Sequence, residues 1–159
     1  GLIGFQTEFR TTTSGMGLLF HVFDHYAPVS EREIATRQNG VMISNGQGMV
    51  LAYALFNLQE RGKLMCAHGD EVYEGQVIGI HSRENDLVVN PLKGKKLTNM
   101  RAAGKDENIV LTTPIRYTLE QAMEFIEDDE LVEITPKSIR LRKRYLKEHD
   151  RKRASREAA

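Results

Sequence analysis

The sequence has a single cysteine, Cys66. That excludes an internal disulfide and a zinc site built on several thiolates, and it suits a reduced, cytoplasmic setting. No run of 18 or more apolar residues occurs, so no transmembrane helix is expected. No basic-then-apolar leader is visible either, and no signal peptide is expected. Net charge is absent too: 22 basic residues balance 22 acidic ones. The zero hides two poles. Lys137 to Arg156 holds ten basic residues against Glu148 and Asp150, whereas Glu120 to Glu133 holds seven acidic residues and no basic one. A ligand responds to the local field, so each pole has to be read by itself. What remains is ordinary globular composition: 159 residues, 40% apolar and 28% charged. That length fits one domain, or one domain and a piece of another, with a real core. The opening "GLIGF" has no methionine and starts inside an apolar pattern, which reads as the interior of a longer protein.

Periodicity divides the chain. Leu2, Phe5 and Phe9 form a helical stripe within residues 1–14, stopped by Gly15 and Gly17. Leu18 to Tyr26 reads as a strand ended by Pro28. One helix and one strand cannot close a core. Residues 30–40 read as a polar linker. A second unit then starts with a strand at Val41–Ser44, the glycine turn "NGQG" (45–48), and a helix over Met49–Arg61 with Gly62 as its C-terminal glycine. Strands are expected at Lys63–Ala67, Glu71–His81, Leu87–Val89 and Ile109–Thr112. Gly75 and Gly79 mark bulges or close backbone approach within the second of these. Thr118 and Gln121 form a capping box for a helix whose apolar face is Leu119, Ala122, Met123 and Ile126. Leu131–Ile134 and Ser138–Lys143 are the last strands, and the polar tail is either a frayed helix or disordered. The fold class is α+β: a terminal helix and strand, then a β-rich unit with two helices and a long basic loop.

Few residues suggest catalysis. His21 and His25 flank Asp24, but on a strand a structural role is the better reading than a zinc site. His68 and His81 stand beside acidic residues without a nucleophile motif around them. "SNGQG" lacks the Lys-Ser/Thr of a P-loop and the full dinucleotide fingerprint, so a tight turn explains its glycines better than a phosphate site does. Cys66 follows Met65 in an apolar run and reads as core. The acidic helix end is a solvated face.

Two basic segments differ in kind. Residues 90–108 read "NPLKGKKLTNMRAAGKDEN", with Lys93, Lys95, Lys96, Arg101 and Lys105 around Gly94 and Gly104. Leu92, Leu97 and Met100 keep no strand or long helical period. Structureless stretches this long are uncommon and usually functional or disordered. In the final strand, Ile139 and Leu141 face one way and Arg140, Arg142 and Arg144 the other, about 6–7 Å apart. That row resembles the step between successive phosphates, and the arginine fork suits them. Both segments point to nucleic acid.

The stretches "GLIGFQTEF", "FDHY", "GVMISNGQGMVLAYALFNLQERGKL", "HGDEVYEGQVIGIHSRENDLVVNPLKGKKLTNMRAAGKDE" and "LEQAMEFIEDDELVEITPKSIRLRKR" closely resemble the C-terminal part of the BipA/TypA family of translational GTPases. The resemblance implies that residues 1–29 are the last helix and strand of a ferredoxin-like domain shared with elongation factor G. It makes 30–153 the family's own C-terminal domain and 154–159 a tail. It implies a ribosome-binding module that contacts 23S rRNA of the 50S subunit and the acceptor arm of A-site tRNA near the peptidyl transferase centre. The RNA contacts are expected at Lys93, Lys95, Lys96, Thr98, Asn99, Arg101 and Lys105 on the loop, beside Arg140, Arg142 and Arg144 on the strand. Thr98 and Asn99 are suited to base edges or 2′-hydroxyls. The full-length relatives use GTP and Mg and act in ribosome assembly and stress responses. The P-loop and the Asn-Lys-x-Asp motif are missing here, so no GTPase activity, cofactor or metal is expected of this chain. It is expected to be a monomer without membrane contact. A protein-interaction module, using the acidic helix and the basic strand, is the alternative.

Overall fold

The computed structural model describes residues 5–28, 37–94 and 109–157. Helix α1 (Phe5–Thr12) opens it, followed by an extended stretch through residue 28. The second unit runs β1 (Val41–Ser44), β2 (Gly48–Met49), α2 (Ala52–Leu58) with a 3₁₀ turn at Gln59–Arg61, β3 (Gly62–Leu64), β4 (Glu71–Val72), β5 (Gln76–His81), β6 (Leu87–Val89), α3 (Leu119–Phe125), β7 (Glu130–Ile134), β8 (Ile139–Lys143) and α4 (Glu148–Glu157).

Six strands form one mixed sheet in the order β6-β1-β5-β8-β7, with β3 also on β5. β1 lies parallel to β6 and antiparallel to β5, and the other pairs are antiparallel. β8 takes Gln76 and Val77 at one end of β5, and β3 takes Gly79 to His81 at the other. β2 and β4 pair as a small separate sheet. All four residues of β1 are buried, as expected of a strand covered on both faces. Alternation splits its side chains. Met42 joins Leu55, Leu58, Leu64, Cys66 and Ile78 under α2. Val41 and Ile43 join Val77, Ala122 and Leu141 under α3. The unit is therefore three layers, with a helix on each face of the sheet.

The sequence places most of these elements, and the differences have physical causes. Leu18–Tyr26 makes no ladder with any described residue and is extended chain, not a strand; Leu18, Phe20, Val22 and Tyr26 are all exposed. Ile109–Thr112 is also not a strand, because a side chain supplies its partner: Gln59 Nε2 donates to Val110 O at 3.1 Å, and Thr112 N donates to Gln59 Oε1 at 3.1 Å. The first helix of the second unit starts at Ala52 because Gly48 and Met49 are taken by β2. Gly62 caps the end of the helical run, as expected, and its extended backbone also allows close approach: a Cβ there would lie 1.9 Å from Ile80 O. The strand expected over Glu71–His81 breaks at Gly75, whose φ of +87° turns the chain. The tail forms a third helix in this unit, α4, laced by ion pairs such as Lys152 Nζ to Glu148 Oε1 at 2.6 Å.

Candidate nucleic-acid interface

Both ends of the basic loop are fixed to the same core. On the way out, Leu51 N donates to Pro91 O at 3.0 Å, and Pro91 is buried. Leu92 packs on the core beneath α2 and lies over the turn at Gly46 and Gly48. On the way back, Leu111 packs on that core, the Gln59 amide grips Val110 and Thr112, and Ile115 N donates to Leu64 O at 2.8 Å. A rigid frame thus carries the loop at two points near α2. Lys93 is exposed at its root. Lys95, Lys96, Thr98, Asn99, Arg101 and Lys105 lie outside the described residues, as does the linker over 30–36.

On β8 the arginine row holds for two members. Arg140 and Arg142 lie on one side of the strand opposite Leu141, with side chains 36% and 30% exposed. Arg144 falls beyond the strand, which ends at Lys143; its backbone N–H donates to Asp129 O at 2.7 Å and the residue is exposed. Arg140 and Arg142 share one carboxylate, Glu133 on β7, at 3.9 Å each. Neither contact is close, because Glu133 is held by Tyr73, whose hydroxyl donates to it at 2.5 Å. Burial, with that carboxylate beside it, raises the Tyr73 phenol well above its ordinary value. The acidic and basic poles therefore meet inside the fold, yet two guanidiniums keep a face to solvent.

The strongest charge cluster went unseen in the sequence. Lys143 is 1% exposed, and its ammonium meets Asp86 at 2.6 Å, Asp129 at 2.8 Å and Glu130 at 2.9 Å. Arg37 grips Glu130 with both fork nitrogens, at 2.8 and 2.9 Å. It also reaches Glu127 at 3.2 Å, donates to the carbonyls of Asn39 and Phe125, and stacks 4.5 Å over the Phe125 ring. Asp86 accepts the Val41 N–H at 2.8 Å, which ties the cluster to β1. Burial opposes the charge on Lys143, but hydrogen bonds to Asp129 and Asp86 and the Glu130 carboxylate outweigh it, pushing its ammonium up to about 12. Burial likewise opposes ionisation of Glu130, yet Arg37 and Lys143 hold it below the usual carboxylate range. Glu127, Asp129 and Glu130 bring their oxygens together as metal ligands would, but these two side chains already supply the cations. Alternation held the missing signal: Lys143 follows Ile139 and Leu141 on the apolar face. Arg37 carried none, since it sits within the polar stretch over 30–40.

The other candidates are structural. His68 Nδ1 donates to Val50 O at 3.0 Å and His81 Nδ1 to Asn85 O at 2.6 Å, since a carbonyl can only accept. His25 Nδ1 is 2.6 Å from Asp24 on an exposed stretch. Cys66 is buried, and burial pushes its thiol up to about 12. The "SNGQG" turn does not open a helix; Ser44 Oγ closes it by donating to Gly46 O at 2.8 Å. No helix among the described residues is long and apolar enough to cross a membrane.

Fold and surface together define a small three-layer domain in which the two segments flanking the basic stretch, 91–94 and 109–115, are tied to one core. The chain belongs to the TypA/BipA family: the family's C-terminal domain matches residues 39–148. It is similar to the "Large ribosomal subunit assembly factor BipA" of Escherichia coli (strain K12), 68% identical over 156 residues, 98% of this chain and 26% of that protein. The protein of that name in Haemophilus influenzae is 66% identical over 98% of this chain and 25% of its own length. The one in Salmonella typhimurium is 65% identical over 98% and 26%. The chain spans about a quarter of the length of the curated relatives it matches.

Proposed function

We propose that this chain is a ribosome-binding module: it docks on the large subunit through rRNA, and its basic loop meets the acceptor arm of A-site tRNA. The observation that carries this is the two-point mounting of the loop. Pro91 and Leu92 fix the segment that enters the basic stretch and Gln59 fixes the segment that leaves it, so a sequence rich in lysine and poor in packing residues starts and ends on one core. Lysines on such a loop neutralise phosphates, and its glycines let backbone come close to RNA. Arg140 and Arg142 are preorganised on β8 and serve as anchors, with a long contact to Glu133 that a phosphate can replace. The relatives' name, large ribosomal subunit assembly factor, agrees with this target. GTP turnover belongs to the upstream part of such relatives, and this chain contributes binding without hydrolysis.

The two basic elements have separable roles. Arg140→Ala with Arg142→Ala weakens binding to purified 50S subunits alike with and without A-site tRNA. Lys95→Ala with Arg101→Ala weakens it chiefly when the acceptor arm is present. Equal losses in both states would leave the loop as a general RNA clamp and remove the tRNA contact.

A further inference from the structure

A groove of about 420 Å³ runs between α2 and the edge strand β6. One wall is a single helical stripe, Tyr53, Asn57 and Arg61, spaced four residues apart. The other is Leu87 and Val89, with Lys93 beyond them at the root of the basic loop. Arg61 and Lys93 line it and, among the described residues, no carboxylate does, in a chain where acids and bases are equal in number. The larger cleft between β8 and the 115–117 segment differs, since Asp70 and Glu71 stand among its cations and Arg116 is paired to Asp70 at 3.0 Å. Asn57 donates one amide hydrogen to Tyr53 O at 2.7 Å, which fixes its side chain, and its oxygen has no hydrogen bond to any described residue.

We propose that this groove holds one unstacked nucleotide of single-stranded RNA, with its base against Tyr53 and the apolar floor and its flanking phosphates on Arg61 and Lys93. The inference rests on the RNA-binding role proposed above and adds a site to it. An aromatic and an apolar floor suit the face of any base, while an exposed amide suits its edge. An arginine fork and a lysine suit phosphates. The volume lies in the range of small-ligand pockets. Lys93 makes the groove continuous with the loop, so a strand leaving the loop has a place to go.

The test is fluorescence anisotropy on the full chain, with a labelled single-stranded hexauridylate and a labelled blunt-ended RNA duplex. Tyr53→Ala loses about tenfold in hexauridylate affinity, the size of one stacked base. Arg61→Ala lowers the log–log salt slope for hexauridylate by about 0.7. Asn57→Glu, at an exposed helix position, weakens hexauridylate binding with its melting temperature kept, which separates binding from folding. Duplex affinity stays unchanged in all three, whereas Lys95→Ala with Arg101→Ala weakens both probes. Groove variants that keep wild-type hexauridylate affinity while the loop variant loses it would overturn the groove and leave RNA binding standing. If wild type binds neither probe, RNA binding fails and the groove with it.

Discussion

Glu130 is the residue whose loss should cost most. It is 2% exposed and is the only carboxylate that touches both Arg37 and Lys143 among the described residues. Glu130→Leu removes the anion between two cations that are themselves out of water. Breaking a buried pair from one side costs about 3–5 kcal/mol. Here the lower end applies, because Lys143 keeps Asp86 and Asp129 and Arg37 keeps Glu127. The expected loss is about 3 kcal/mol, or roughly 9 °C in melting temperature for a domain of this size. Arg37→Met costs about 2 kcal/mol, since Glu130 still has Lys143. The double variant removes one charge of each sign and leaves Lys143 balanced, so it costs about 3 kcal/mol instead of the additive 5, a coupling of about 2 kcal/mol. Urea melts followed by circular dichroism at pH 7 measure all three. Single losses under about 1 kcal/mol, or a double variant equal to their sum, would show that the cluster is held by the fold rather than holding it.

Other outcomes follow from the same structure. Glu130 has a folded pKa below its unfolded one, so its contribution is complete above about pH 4.3 and disappears as pH falls through the folded value; Lys143, raised to about 12, contributes fully below about pH 10.4 and loses that as pH rises towards 12. Urea midpoints against pH should therefore form a plateau that falls at both ends, and Lys143→Met should flatten the alkaline fall. Gly62→Ala sets a Cβ 1.9 Å from Ile80 O and should cost about 3 kcal/mol, whereas Gly94→Ala, with its nearest neighbour at 3.7 Å, should cost under about 0.5 kcal/mol in the same melts. Cys66, with its thiol pushed up to about 12, should stay unmodified by a thiol reagent at pH 8 until the protein is unfolded.

The elements legible in the sequence are those whose signals are local. Thr118 and Gln121 announce α3, and the structure shows both capping-box bonds. Val41–Ser44, Leu87–Val89 and the last two strands are short apolar or alternating runs bounded by turn residues, and they fold as such. The errors are all non-local. Leu18–Tyr26 has the composition of a strand but no partner among the described residues, and a strand without a ladder is only extended chain. Ile109–Thr112 has its backbone met by Gln59, about fifty positions earlier, and no period in either segment reveals a side chain that replaces a strand. The residues proposed as the site were legible only as charge, because lysines and arginines read directly from a sequence. Which of those charges the fold keeps for itself was not. Lys143 looks like one more base in "RLRKR" and is the most enclosed of them; Arg144, one residue on, is exposed. That difference comes from where Asp86, Asp129 and Glu130 arrive in space.

The central claim is that this domain binds the large ribosomal subunit electrostatically through its RNA. It is tested most directly by sedimenting the chain with purified 50S subunits over a range of salt. Binding should be saturable, and the log of the association constant should fall linearly with the log of salt, with a slope of about −3 or steeper for four or more neutralised phosphates. Undetectable binding at low salt, or saturable binding whose affinity does not change with salt, would contradict it.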